Sequence, residues 1–209
     1  MVGGSGGEGV TLTSADETKF RAHLARAGEG DAGVVIAPDV RGLHSFYEDL
    51  ADRFASAGIH AIAFDYFGRT AGMDRRADDF DYMPHVRQTT PKSVFADIAA
   101  SRAKLEVETK ARRVFVLGFC FGGRIAFLSS AEQPGLAGVV GFYGRLGKRE
   151  NEVWPAPAEQ AGRMRAPETY PGAPHSFFDR TFNEHKAECD DAWRRVLAFM
   201  KTGDPTKTA

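Results

Sequence analysis

Cysteine is scarce in this sequence. Cys120 and Cys189 are its only two, in a chain of 209 residues. They fall on what read as separate helices, so no disulfide framework is implied and a reducing, cytoplasmic setting fits. Long apolar runs are missing as well, and nothing approaches the roughly 20 residues that a bilayer-spanning helix needs. The opening Met1-Val-Gly-Gly-Ser-Gly-Gly-Glu8 has neither a basic flank nor an apolar core, which argues against a signal peptide. Charge of one sign is not in excess: the net charge is −1. That balance gives no footprint for nucleic acid or a membrane surface. With no CxxC, no HExxH and no internal repeat, neither a metal site nor a cofactor has support.

What is present centres on Arg113-Val-Phe-Val-Leu-Gly-Phe-Cys120-Phe-Gly-Gly-Arg-Ile-Ala126. A β-branched apolar run stops at Gly118, and a helical run starts after Cys120. Gly118-x-Cys120-x-Gly122 has the spacing of a nucleophile elbow, with cysteine in the place of the more usual serine. A sharp strand-to-helix turn lifts the central side chain clear of the sheet edge. Its neighbours must be small because two backbones pass close together. The helix N-terminus beneath Cys120 is expected to favour the thiolate.

The rest of the chain supplies the setting. Residues 10–25 read as a hairpin turning at Ser14-Ala-Asp-Glu17, and Gly33–Ala37 as a strand covered on both faces. Ser45 is placed to cap a helix that reaches about Ala57 and stops at Gly58. A strand Ile59–Phe64 leads into a long polar loop through Asp65, Arg69 and Tyr82. Thr90-Pro91 opens another helix, Gly138–Tyr143 is a further strand, and Phe182–Lys201 is expected to be helical. Strands separated by helices predict an α/β fold, a mostly parallel sheet with helices on both faces, in a single domain over 1–209 with flexible ends at 1–9 and 203–209. Ligands gather at the carboxyl ends of such strands. Asp39, Asp65 to Arg69, Cys120 and Tyr143 all sit there.

An elbow nucleophile needs a base from late in the chain. His175, in the loop Tyr170-Pro-Gly-Ala-Pro-His-Ser-Phe177, comes in the right order, whereas His23, His44, His60, His85 and His185 lack a comparable setting. Taken with Ile36-Ala-Pro-Asp39, Phe64-Asp-Tyr-Phe-Gly-Arg69, Gly118–Gly123 and Gly141-Phe-Tyr-Gly144, the chain from Val34 onward resembles the dienelactone hydrolase family. The resemblance implies an α/β-hydrolase fold and a Cys-His-Asp enzyme that opens a small carboxylate-bearing lactone or ester. It implies Cys120 as nucleophile, His175 as base, and the N–H groups of Phe121 and Val40 as oxyanion hole. Asp39 stands where the family places an activating glutamate, or it simply caps the turn. Arg69 matches the substrate-carboxylate arginine, Arg180 matches a second one offset by one residue, and Arg41 is a third candidate. Tyr143 either lines the site or packs.

One departure is plain. Only 31 residues separate Tyr143 from His175, and none is aspartate. Asn151–Pro157 reads as loop and Glu159–Arg165 as a short helical run, which is too little for the strand, helix and acid loop expected there. A strand-helix segment is therefore lacking between Pro167 and Glu168, whether by deletion or because it is absent from the chain as given. Asp179, Glu184 or Glu168 would then be left to orient His175. The gap supports a second reading, an inactive hydrolase-like module that binds a small anion; a third is a thiol redox sensor at Cys120, with Cys189 the one other cysteine that could resolve it.

Overall fold

A computed structural model of the protein describes residues 6–147 and 168–204. Six strands form one sheet: β1 (Glu8–Thr13), β2 (Lys19–Ala25), β3 (Ala32–Ala37), β4 (His60–Phe64), β5 (Arg113–Phe119) and β6 (Gly138–Phe142), in the order β1-β2-β4-β3-β5-β6. The β1–β2 hairpin joins β4 antiparallel, and β4, β3, β5 and β6 run parallel. Six helices accompany them among the described residues: α1 (Ser45–Ser56), the single turns α2 (Gly68–Ala71) and α3 (Met83–Val86), then α4 (Pro91–Thr109), α5 (Phe121–Glu132) and α6 (Lys186–Thr202).

The central strands read as continuous apolar runs because both of their faces are covered. Val34, Ile36, Phe115, Leu117 and Phe119 pack with Tyr47, Leu50 and Phe54 of α1 and with Val196 and Met200 of α6. The alternate residues Val35, Ala37, Val114 and Val116 pack with Val94, Ile98 and Leu105 of α4 and Ile125 and Leu128 of α5. Each large apolar side chain buried in this way contributes about 1.5–3 kcal/mol.

Several boundaries differ from expectation. His44, not Ser45, is the N-cap of α1, and it makes no side-chain cap bond. The first strand already begins at Glu8, inside the stretch expected to be flexible, and Gly7 N–H donates to Asp52 at 2.8 Å. The terminal helix starts at Lys186 rather than Phe182, because residues 175–185 fold as consecutive turns. The polar loop after β4 holds the two single-turn helices. By contrast, Thr90 and Ser93 form a full capping box at the start of α4. The expected loop and helix at Asn151–Pro157 and Glu159–Arg165 lie outside the described residues, as does Pro167 on one side of the expected gap. Among the described residues no strand follows β6.

Register sets the site. Ala37 of β3 pairs with Gly118 of β5, and Phe119 pairs with Phe142 of β6. The three strands therefore end at one level, and Asp39, Cys120 and Tyr143 leave the sheet side by side. The turn into α5 is tight enough that a Cβ on Gly122 would stand 2.0 Å from the Ala37 carbonyl oxygen, and one on Gly118 would stand 2.0 Å from that of Gly122. Gly122→Ala is expected to lower the unfolding free energy by about 2–3 kcal/mol, as other overpacked sites do. A denaturant melt measures this, and an unmoved midpoint would contradict so close a crossing.

Candidate active site

Cys120 is the N-cap of α5, at φ 54° and ψ −108°. That backbone is costly for a side-chain-bearing residue, by about 1–3 kcal/mol, and such outliers cluster at functional sites. It is held by Cys120 N–H donating to Phe142 O at 3.0 Å and by Arg124 N–H donating to Cys120 O at 3.2 Å. The side chain is half-buried. Burial pushes the thiol above its ordinary value and nearby Asp39 adds to the rise, while the Phe121 N–H, Arg41 and Arg180 pull it down. The net direction is upward. The expectation of a resting thiolate is thus corrected: desolvation outweighs the helix terminus.

Val40, expected from the resemblance to supply one oxyanion donor, sits on the loop after β3. Four contacts pin that loop: Tyr66 donates to Pro38 O at 2.7 Å, Asp39 N–H to Tyr47 Oη at 2.9 Å, Gly42 N–H to Asp39 O at 3.2 Å, and Leu43 N–H to Asp65 Oδ1 at 3.1 Å. Among the described residues no acceptor takes the Val40 N–H. It remains a donor without a protein partner, as an oxyanion hole requires.

Asp39 is buried and clamped by Arg41. Oδ1 accepts from Arg41 N at 2.8 Å, and Oδ2 accepts from Nε at 3.0 Å and from the terminal NH2 at 2.5 Å. The same terminal nitrogen also donates to Asp179, so Arg41 ties the β3 loop to the turn after His175. His44 lies against this group, buried, with its Nε2 lacking a partner among the described residues, and burial and Arg41 together lower its basicity. Ligand-type atoms of Asp39, His44 and Asp179 lie within 4.8 Å of one another. The guanidinium of Arg41 already serves as the cation between the two carboxylates.

His175 is exposed, and its ring packs on Tyr143 with 4.8 Å between centroids. Among the described residues neither Cys120 nor any carboxylate hydrogen-bonds to it. Tyr143 has φ 42° and packs on Phe119, Phe142 and Phe177, and its hydroxyl is held protonated by burial and by nearby Asp179, Asp39 and Cys120.

Comparison with known proteins bears on this arrangement. The profile of the dienelactone hydrolase family matches residues 20–161, well over half the chain. The chain belongs to the dienelactone hydrolase family. A protein of Escherichia coli K12 named "Putative carboxymethylenebutenolidase" is 27% identical, covering 92% of this chain and 86% of its own length. One of the same name from Saccharolobus solfataricus is 24% identical over 89% of this chain and 95% of its own. A crystal structure described as a putative dienelactone hydrolase from Klebsiella pneumoniae superposes with a TM-score of 0.77 at 23% identity, covering 93% of this chain and 99% of that one, which supports the fold. The E. coli alignment runs over 237 positions, more than the whole length of this 209-residue chain, so that relative carries internal segments lacking here.

Within this dienelactone hydrolase relative, the residues carried over by resemblance part company. Cys120, Phe121, Val40, Asp39 and Tyr143 converge on one sheet edge. Arg69 is committed elsewhere: Nε and NH2 bond Asp16, NH1 and NH2 bond Asp97, and NH2 also bonds Ser14, at 2.6–3.0 Å. All three guanidinium nitrogens are taken, and the buried Asp97 depends on them, so Arg69 has no free fork for a substrate. Arg180 is exposed, lies near enough to Cys120 to stabilise its thiolate, and has no carboxylate partner among the described residues. Of the acids that could have oriented His175, Asp179 is taken by Arg41 and Glu168 by Arg195, and Glu184 makes no contact with it. Arg41 and His44 are the residues that sequence reasoning left unassigned or passed over. Their signal was their place within seven residues of the end of β3.

Because burial raises the thiol above its usual value near 9, Cys120 is mostly protonated at neutral pH. Alkylation by iodoacetamide requires the thiolate. Its rate at Cys120 should therefore climb about tenfold per pH unit up to about pH 9. A plateau reached near neutrality would show an already ionised sulfur.

Proposed function

We propose that the protein is a cysteine hydrolase of small, carboxylate-bearing lactones or esters. The observation that carries this reading is the elbow backbone at Cys120, at the end of β5 beside the β3 loop whose Val40 N–H has no acceptor among the described residues. Cys120 Sγ attacks the carbonyl carbon as its proton passes to His175. The tetrahedral oxygen gathers negative charge between the N–H groups of Phe121 and Val40, where pre-aimed dipoles contribute most. Collapse breaks the ester C–O bond, and the imidazolium returns the proton to the departing oxygen. Water, deprotonated by the same imidazole, then hydrolyses the thioester and restores the thiol.

The resting thiol belongs to this scheme: a neutral sulfur beside Asp39 waits for a base rather than standing ionised. Asp39, clamped by Arg41, contributes its fixed negative charge at the sulfur. Arg180 takes the role of the substrate-carboxylate arginine, since among the described residues near the sulfur it has no carboxylate partner. Tyr143 lines the site as the surface on which the His175 ring rests.

A second reading has one observation behind it, the lack of an acid on His175 among the described residues. In that reading the same pocket binds a small anion without turning it over.

Cys120→Ala should abolish hydrolysis of aryl esters and lactones while leaving the circular-dichroism spectrum unchanged. Arg180→Met should raise KM about tenfold for a carboxylate-bearing ester, the loss of one charge-assisted contact. The same change should leave a neutral acetate ester unaffected. Turnover that survives Cys120→Ala overturns the nucleophile, and a wild type that hydrolyses nothing favours the binding module.

A further inference from the structure

Outside the catalytic residues, the most completely buried ion pair at this end of the sheet joins Asp65 to Arg76. Their side chains are 0% and 3% exposed. Arg76 reaches Asp65 Oδ2 through Nε at 3.0 Å and NH2 at 2.7 Å. It also donates to the carbonyl oxygens of Ala71 and Gly72 at 3.2 and 2.6 Å, and its guanidinium lies 5.0 Å from the Phe80 ring centre. One oxygen of Asp65 is thus fixed by the arginine. The other, Oδ1, faces away and accepts the Leu43 N–H at 3.1 Å.

Leu43 closes the loop that carries Val40. Gly42 holds φ +77°, and a Cβ there would come within 2.5 Å of Asp65 Oδ1, so the loop lies directly on the carboxylate. A paired, doubly anchored carboxylate in a dry site has little freedom to move. We infer that Asp65, aimed by Arg76, is the positioning residue of the oxyanion hole: it fixes the loop end at Leu43 and so the direction of the Val40 N–H. This rests on the hydrolase reading for its catalytic consequence, but not for the anchoring itself. Neither residue touches substrate. Both act through the loop.

Removing one partner would bury a lone charge, so the test exchanges both residues together. Asp65→Leu with Arg76→Met removes charge and acceptor at similar volume. Asp65→Asn with Arg76→Met removes the charges but keeps an oxygen for Leu43. Hydrogen exchange read by mass spectrometry should be about tenfold faster in a peptide spanning 39–44 for the leucine pair and near wild type for the asparagine pair, with residues 121–132 unchanged in both. With an aryl ester, the leucine pair should lose at least about tenfold in kcat, less than the loss of a whole donor. KM should stay within about threefold and Cys120 alkylation by iodoacetamide within about twofold, because neither step uses the Val40 N–H. The asparagine pair should recover most of the kcat. Unchanged exchange at 39–44 in the leucine pair overturns the inference, as does a kcat lost in step with alkylation. If the wild type hydrolyses no ester the hydrolase reading fails, while the exchange data still decide whether Asp65 holds the loop.

Discussion

Everything at the carboxyl edge of the sheet depends on how closely α5 crosses β3. The Ala37 and Pro38 carbonyl oxygens stand where a side chain on Gly122 would begin, and the Gly122 carbonyl stands where one on Gly118 would begin. That contact leaves the chain no relaxed route from strand to helix, and Cys120 takes up the turn in a left-handed conformation. Register does the rest. Because β3, β5 and β6 end level, the same crossing that projects the sulfur also brings the β3 loop and Tyr143 beside it. Packing of backbones, rather than any attraction between the polar groups, assembles the site.

The polar groups then sort themselves by which charges are already satisfied. Several arginine–carboxylate groups lie around this end of the sheet, among them Arg41 with Asp39 and Asp179, Arg76 with Asp65, and Arg69 with Asp97 and Asp16. Burial makes each group costly to break, so each behaves as scaffold. A substrate anion entering from solvent meets guanidinium groups whose forks are full, with Arg180 as the exception among the described residues near Cys120. This is why a positional match to the family's arginine could mislead. Arg69 stands at the expected distance after β4, yet its partners Ser14, Asp16 and Asp97 come from the hairpin turn and from α4, far away in sequence.

The sheet was legible for a simple reason. Gly33–Ala37 and Val114–Phe119 are apolar throughout and Ile59–Phe64 at every position but His60, as two covering layers of helices require, and Gly118-x-Cys120-x-Gly122 declares the crossing directly. The capping signal at Thr90-Pro91 was equally local and was read to the residue. What escaped was non-local. The ionisation of Cys120 is decided by desolvation and by Asp39, neither of which the helix terminus reveals. His44 looked like one of several unplaced histidines because its proximity to Asp179 is created by folding. The start of α6 was placed four residues early because Phe182 fits the helical spacing, while the chain before Lys186 spends its backbone bonds in turns.

The shortened interval before His175 raises the question of what holds the His175 loop in place with no further strand beside it among the described residues. The answer lies on the other side of the loop. Phe177 and Phe178 are buried against Phe119, Phe142 and Tyr143, so the two residues after the His175–Ser176 turn are driven into the core. Cys189 of α6 donates to Phe177 O at 3.5 Å, and Tyr170 donates to Asp191 at 2.9 Å, fixing both ends of the segment to one helix. Arg41 closes the ring through Asp179, and it does so from the loop that carries Val40. The His175 turn and the Val40 loop are therefore tied to each other through a single guanidinium. An aspartate behind the imidazole would orient the ring; these contacts orient the backbone from which the ring projects, and the ring itself rests on Tyr143.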